Sequence, residues 1–87
     1  MAGQIKYPYR ETITNNNTLG IILKQGLFVI TDASNDKAYI FSYDGTTYKS
    51  IMDNLTNPAY NKYSGSGHLY IENHTGSPVE FHVYSLV

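Results

Sequence analysis

The sequence predicts an all-β chain, an antiparallel β-sandwich or jelly-roll-like barrel of seven or eight short strands. Three observations predict it. No segment keeps a helical period over three turns, β-branched and aromatic runs recur in its place, and each run is bounded by Asn, Gly, Asp, Ser or Pro clusters of the kind that turn a chain. With 87 residues there is material for one core, so residues 1–87 are read as a single domain, with residues 1–8 as an extended N-terminal arm.

The elements follow in order. Tyr9 to Thr14 is a first mixed run, ended by Asn15-Asn16-Asn17-Thr18, whose short polar side chains suit a turn. Leu19 to Lys24 and Leu27 to Asp32 are apolar runs on either side of Gln25-Gly26, where the glycine can supply a bulge or a positive φ. The polar stretch Asp32 to Lys37 leads into Ala38 to Tyr43, rich in residues that favour a pleated surface. Asp44-Gly45 is the clearest hairpin signal in the chain, and Thr47 to Met52 is its return strand. From Asp53 to Gly67 the expectation is a long surface loop with at most a short strand or one helical turn, because Asn57-Pro58 interrupts regular structure and Ser64-Gly65-Ser66-Gly67 is flexible by composition.

The last two strands are His68 to Asn73 and Val79 to Leu86, joined by His74-Thr75-Gly76-Ser77-Pro78, a linker of hairpin length. Alternation turns Leu69, Ile71, Val79, Phe81 and Val83 inward. If the two strands pair, Tyr70, Glu72, His82 and Tyr84 share one polar-aromatic face.

Composition narrows the function. Six basic residues face seven acidic ones, spread singly along the chain for a net charge of −1, so neither a nucleic-acid patch nor a polybasic membrane segment is present. No run approaches the roughly 20 apolar residues of a membrane span. Charged residues make up only 15 % of the chain, and nine tyrosines together with Asn, Ser, Thr and Gly take their place. Such a surface is neutral, hydrogen-bonding and aromatic. It suits neutral sugars or copies of the same chain, and ordinary β-sandwich composition yields the same counts. A domain this small is marginally stable on its core alone, and without cysteine no disulfide supplements it.

Chemistry-bearing clusters weigh less than their structural readings. His68, Glu72, His74 and His82 could converge on a metal, but nothing in their spacing brings ligands to about 2.0–2.2 Å, and solvated or subunit-facing histidines account for them. Asp32, Ser34, Asn35 and Asp36 make an oxygen-rich loop without the calcium-loop pattern, and a plain turn explains it better. The serines, histidines and carboxylates stand in no catalytic context such as Gly-x-Ser-x-Gly, so the chain is read as non-enzymatic, with no cofactor and no metal. Tyrosine carries the strongest signal. A ring with a polar tip suits sugar stacking or a wet interface, and the candidate contact residues are Tyr43, Tyr60, Tyr63, Tyr70, His82 and Tyr84.

From Gly26 onward the pattern resembles the small β-sandwich heads of bacteriophage tail fibres, head fibres and receptor-binding proteins. The residues that carry the likeness are Gly26-Leu27-Phe28-Val29-Ile30-Thr31, Ala38-Tyr39-Ile40-Phe41-Ser42-Tyr43, His68-Leu69-Tyr70-Ile71-Glu72-Asn73, Thr75-Gly76, and Val79-Glu80-Phe81-His82-Val83-Tyr84. The iron-binding His-x-His of some such fibres has no counterpart here. The resemblance implies a homo-oligomer, expected to be a trimer, with a receptor site at its tip or between subunits. It further implies contact with other virion proteins and with a host cell-surface glycan. Met1 to Arg10 lacks the apolar core of a secretory signal, so the expected location is the virion, after synthesis in the host cytoplasm. The alternative is a monomeric lectin-like module stacking sugar on Tyr43, Tyr60 and Tyr63.

Overall fold

Alternation with a period of two shapes the chain at every level. The structure, a computed structural model, describes residues 7–86. Residues 1–6 of the expected N-terminal arm, and Val87, lie outside the described residues. The strands are β1 (Tyr9–Ile13), β2 (Thr18–Ile22), β3 (Gly26–Asp32), β4 (Lys37–Tyr43), β5 (Tyr48–Asp53), β6 (Tyr60–Gly65), β7 (His68–Asn73) and β8 (Val79–Leu86). They form a five-stranded sheet in the order β1-β8-β3-β4-β5 and a three-stranded sheet in the order β2-β7-β6, antiparallel throughout and packed as a sandwich. β1 and β2 lie against β8 and β7, the nested pairing of a jelly roll, whereas β3-β4-β5 is a meander and β6-β7 a hairpin.

One residue in two turns inward to fill the space between the sheets. Phe28, Ile30, Tyr39, Phe41, Phe81 and Val83 come from the larger sheet, and Leu19, Ile21, Tyr60, Leu69 and Ile71 from the smaller. Phe28 stacks on Phe41 with ring centroids 4.9 Å apart and planes within 3°. Tyr39 continues that stack at 5.2 Å, so a row of aromatic rings runs between β3 and β4 and anchors the meander. Tyr7 closes one end of the row, its ring edge-on to Phe28.

Two polar ties join β6 to the larger sheet. Asp32, fully buried at the end of β3, accepts hydrogen bonds from the Asn35 backbone N–H at 3.1 Å, from Asn35 Nδ2 at 2.7 Å and from the Tyr60 hydroxyl of β6. Burial, and after it the hydrogen bond to Asp32, holds the Tyr60 phenol protonated far above its ordinary range. Lys62 of β6 reaches across in the other direction. Its Nζ lies 3.0 Å from Asp53 Oδ1 at the end of β5, donates to the Leu55 carbonyl and sits 4.8 Å from the centre of the Tyr39 ring.

Several sequence expectations change here. The stretch Asp53 to Gly67 is not an open loop: Leu55 is fully buried, β6 is a strand, and Ser66-Gly67, with φ of 52° and 77°, is a tight hairpin turn into β7. The Asp44-Gly45 hairpin is present with a four-residue loop, in which Asp44 Oδ1 accepts the N–H groups of Thr46 and Thr47, both at 2.8 Å. The oxygen-rich stretch after Asp32 is a turn whose donors come from Asn35. The largest correction concerns the last two strands. β7 and β8 do not pair; the connection between them crosses from one sheet to the other.

The reason for that crossing is Asn73. Fully buried at the end of β7, it donates through Nδ2 to the carbonyls of Ile13 at 2.8 Å and Ser77 at 2.9 Å, and through Oδ1 it accepts the Thr75 N–H and hydroxyl. These bonds tie the connection to the end of β1, in the opposite sheet. The Asn15 side chain adds an acceptor for the Gly76 N–H at 2.8 Å, so the two crossings, β1 to β2 and β7 to β8, brace each other at one end of the sandwich.

Candidate functional site

Because β7 and β8 belong to different sheets, the expected joint face of Tyr70, Glu72, His82 and Tyr84 divides in two. Tyr70 and Glu72 lie on the outer face of the three-stranded sheet, and His82 and Tyr84 lie on the outer face of the five-stranded sheet, on the far side of the molecule. Tyr60 is 1 % exposed, a core residue bound to Asp32, and is removed from the candidate contacts. Tyr43 sits half-buried at the end of β4, opposite Gly26 and Tyr48, and belongs to neither face.

On the three-stranded sheet the register aligns three rows across the strands: Thr18, Glu72 and Asn61; Gly20, Tyr70 and Tyr63; Ile22, His68 and Gly65. The middle row is aromatic. Tyr63 and Tyr70 are stacked with centroids 5.1 Å apart and planes 29° apart, and His68 stacks on Tyr70 at 5.7 Å and 15°. Gly20 completes the row beneath the rings, and a Cβ there would stand 3.4 Å from Tyr70 Cε1, in close van der Waals contact with the ring. His68 is oriented by its Nδ1, 3.0 Å from the Ser66 carbonyl; a carbonyl only accepts, so that nitrogen donates, and in the neutral ring Nε2 is the acceptor.

Glu72 stands about 7 Å along β7 from Tyr70, two residues on and on the same side. Its Oε1 accepts from Asn61 Nδ2 at 3.1 Å and lies 2.9 Å from His74 Nε2, and His74 Nδ1 is in turn 3.0 Å from Asn16 Oδ1. The hydrogen bond to His74, then that to Asn61, lowers the Glu72 pKa from its ordinary value. Oε2 has no hydrogen-bond partner among the described residues. The result is an aligned carboxylate beside an aromatic ladder, with Tyr63 42 % exposed at the outermost strand.

On the five-stranded sheet the rows differ in character. Tyr84, Val29, Ile40 and Met52 line up across four strands, with Leu86 and Leu27 in the next row and His82, Thr31 and Ala38 on the other side. Tyr84, Met52 and Leu86 are exposed large apolar residues. The charges of this face sit at its periphery: Arg10 and Glu80 at one corner and Lys49 at the opposite one. His82 Nε2 is shut off from water and 3.7 Å from Glu80 Oε1, too long for a hydrogen bond. Ile51 is the extra residue of a bulge in edge strand β5, where the register against β4 shifts between Ile40 and Phe41, and it is strongly exposed.

Reasoning from sequence did not single out Gly20, Asn61 and Asn16 as members of the first face. A glycine inside the apolar run Leu19-Gly20-Ile21 was the available signal, since a glycine within a strand marks close approach by something else. The other two depend on β6 and on the strand crossing. The molecule is thus an antiparallel β-sandwich with one polar-aromatic and one apolar outer face. No family model, curated protein or solved structure matches the chain.

Proposed function

We propose that the chain is a non-enzymatic virion structural or host-adhesion module that assembles with copies of itself through the outer face of its five-stranded sheet. The observation that carries this reading is the uncharged row Tyr84-Val29-Ile40-Met52 with Leu86 and Leu27 beside it and charges only at the corners. An apolar centre within a polar rim is the anatomy of a protein–protein interface, and a small cysteine-free domain gains stability from covering it. The resemblance to fibre heads supplies the virion setting and the expectation of a trimer.

The size of the face sets the strength expected. At about 4.8 Å per strand, five strands about 20 Å long present roughly 500 Å² in projection, or about 1,000 Å² for two copies, at the small end of specific interfaces. Association is therefore concentration-dependent. Light scattering coupled to size exclusion over a hundredfold dilution series tests it: the mass should exceed one chain at high concentration and fall toward one chain on dilution. The surface substitutions Tyr84→Glu and Met52→Glu should hold it at one chain throughout. A wild-type mass of one chain at every concentration would refute the reading.

A further inference from the structure

The second face carries an inference independent of assembly. We propose that the Tyr63–Tyr70–His68 ladder and Glu72, on the outer face of the three-stranded sheet, form a binding site for a neutral, hydroxyl-rich saccharide. Three properties select that chemistry. The first is the platform: Tyr70 is stacked on by both Tyr63 and His68, so the ring that offers a face to the C–H face of a pyranose is Tyr63, which stacks on Tyr70 and is 42 % exposed on an edge strand.

The second is the aligned acceptor. Glu72 Oε1 is occupied by Asn61 and His74, which hold the carboxylate in place and leave Oε2 for sugar hydroxyls, while Nε2 of His68 adds an acceptor at the other side of the rings. A carboxylate fixed before the ligand arrives loses little side-chain freedom on binding. The third is charge. The basic residue of β6, Lys62, is turned into the sandwich toward Asp53, so no Lys or Arg stands in the three rows of the face, and Glu72 repels phosphate, sulfate and carboxylate groups. A nucleic acid or an acidic glycan is disfavoured on the same surface where a neutral sugar is accommodated. This face and the apolar one lie on opposite sides of the sandwich, so self-association leaves the ladder open.

The test uses the full chain in affinity electrophoresis through gels containing dextran, laminarin, yeast mannan or galactomannan, with dextran sulfate as the anionic control. Retardation by at least one neutral polysaccharide and none by dextran sulfate is the expected result. Tyr63→Ala, at an exposed position that leaves the core intact, should abolish the retardation with the melting temperature unchanged within a few degrees, and Glu72→Gln should weaken binding roughly tenfold. Tyr84→Glu, on the other face, should leave it as in the wild type even where the oligomer is lost. Retardation by dextran sulfate alone, by none of the four neutral polymers, or undiminished in Tyr63→Ala overturns the proposal. A failure of self-association shows instead in the mass of the wild-type chain and leaves these results readable.

Discussion

Replacing Tyr60 by Phe isolates one of the polar ties between the sheets. The ring remains, edge-on to Phe81 with centroids 6.3 Å apart, so no cavity opens and the apolar burial is kept. What is lost is the hydroxyl that donates to the fully buried carboxylate of Asp32, which then has only the two Asn35 donors. A hydrogen bond to a charged group contributes about 1.5–3 kcal/mol, and an acceptor left buried and under-satisfied costs a similar amount. We therefore expect Tyr60→Phe to destabilise the fold by about 2 kcal/mol, which for a domain of this size lowers the melting temperature by about 8–16 °C. Urea unfolding followed by tyrosine fluorescence measures it. The midpoint should fall with the slope unchanged, and Tyr63→Phe on the open face should stay within about 0.5 kcal/mol of the parent. A double-mutant cycle with Asp32→Asn should return a coupling above about 1 kcal/mol. Tyr60→Phe within about 0.5 kcal/mol of the wild type would refute the claim that this bond joins the sheets.

Two further predictions concern pH. Burial raises the pKa of Tyr7, Tyr39 and Tyr60 and takes that of Tyr9 to about 12, whereas the unfolded chain ionises its tyrosines near 10. Their contribution is thus complete below pH 10 and is lost as the pH rises from 10 through 12; absorbance at 295 nm should show ionisation in step with a falling melting temperature, and full ionisation without loss of fold would contradict it. At the acid end, the backbone N–H groups of Thr47 and Thr46 lower the Asp44 pKa, and His74 and Asn61 lower that of Glu72. That stabilisation is present above the ordinary values of 3.8 and 4.5 and disappears as the pH falls below them. Asp44→Asn should accordingly flatten the decline in melting temperature below pH 4.5, and an unchanged slope would refute the role of that turn.

Strand positions were legible where apolar and polar residues alternate cleanly. His68–Asn73 and Val79–Leu86 were placed with their bounds, and the aromatic run around Phe41 announced β4. β6 stayed hidden because Asn57-Pro58 and Ser64-Gly65-Ser66-Gly67 bracket it with turn residues and because Lys62 occupies an inward position, where Asp53, the Leu55 carbonyl and the Tyr39 ring accommodate its ammonium group. The partnership of β7 and β8 was misread for a related reason. Five residues suit a hairpin as well as a sheet-to-sheet crossing, and what decides between them is the pair of bonds from Asn73 to Ile13 and Ser77. The candidate site inherited both errors. Tyr63 and Tyr70 were named from residue type, but their stacking, the clearance at Gly20 and the setting of Glu72 follow from strand register.

The antiparallel pairing of β1 with β8 has a mechanical consequence. Tyr9 lies opposite Val83, so β1 begins beside the end of β8 and the chain enters and leaves this pair on one side of the sandwich. A pull that separates Tyr9 from Leu86 loads the rungs between the two strands singly, in the manner of a zipper, and β1 peels away at low force. A pull entering through one of these strands and leaving through the edge strand β6 must instead cross the interior, and it meets the Asp32–Tyr60 and Asp53–Lys62 ties together. The direction of load therefore decides which contacts of the sandwich are tested first.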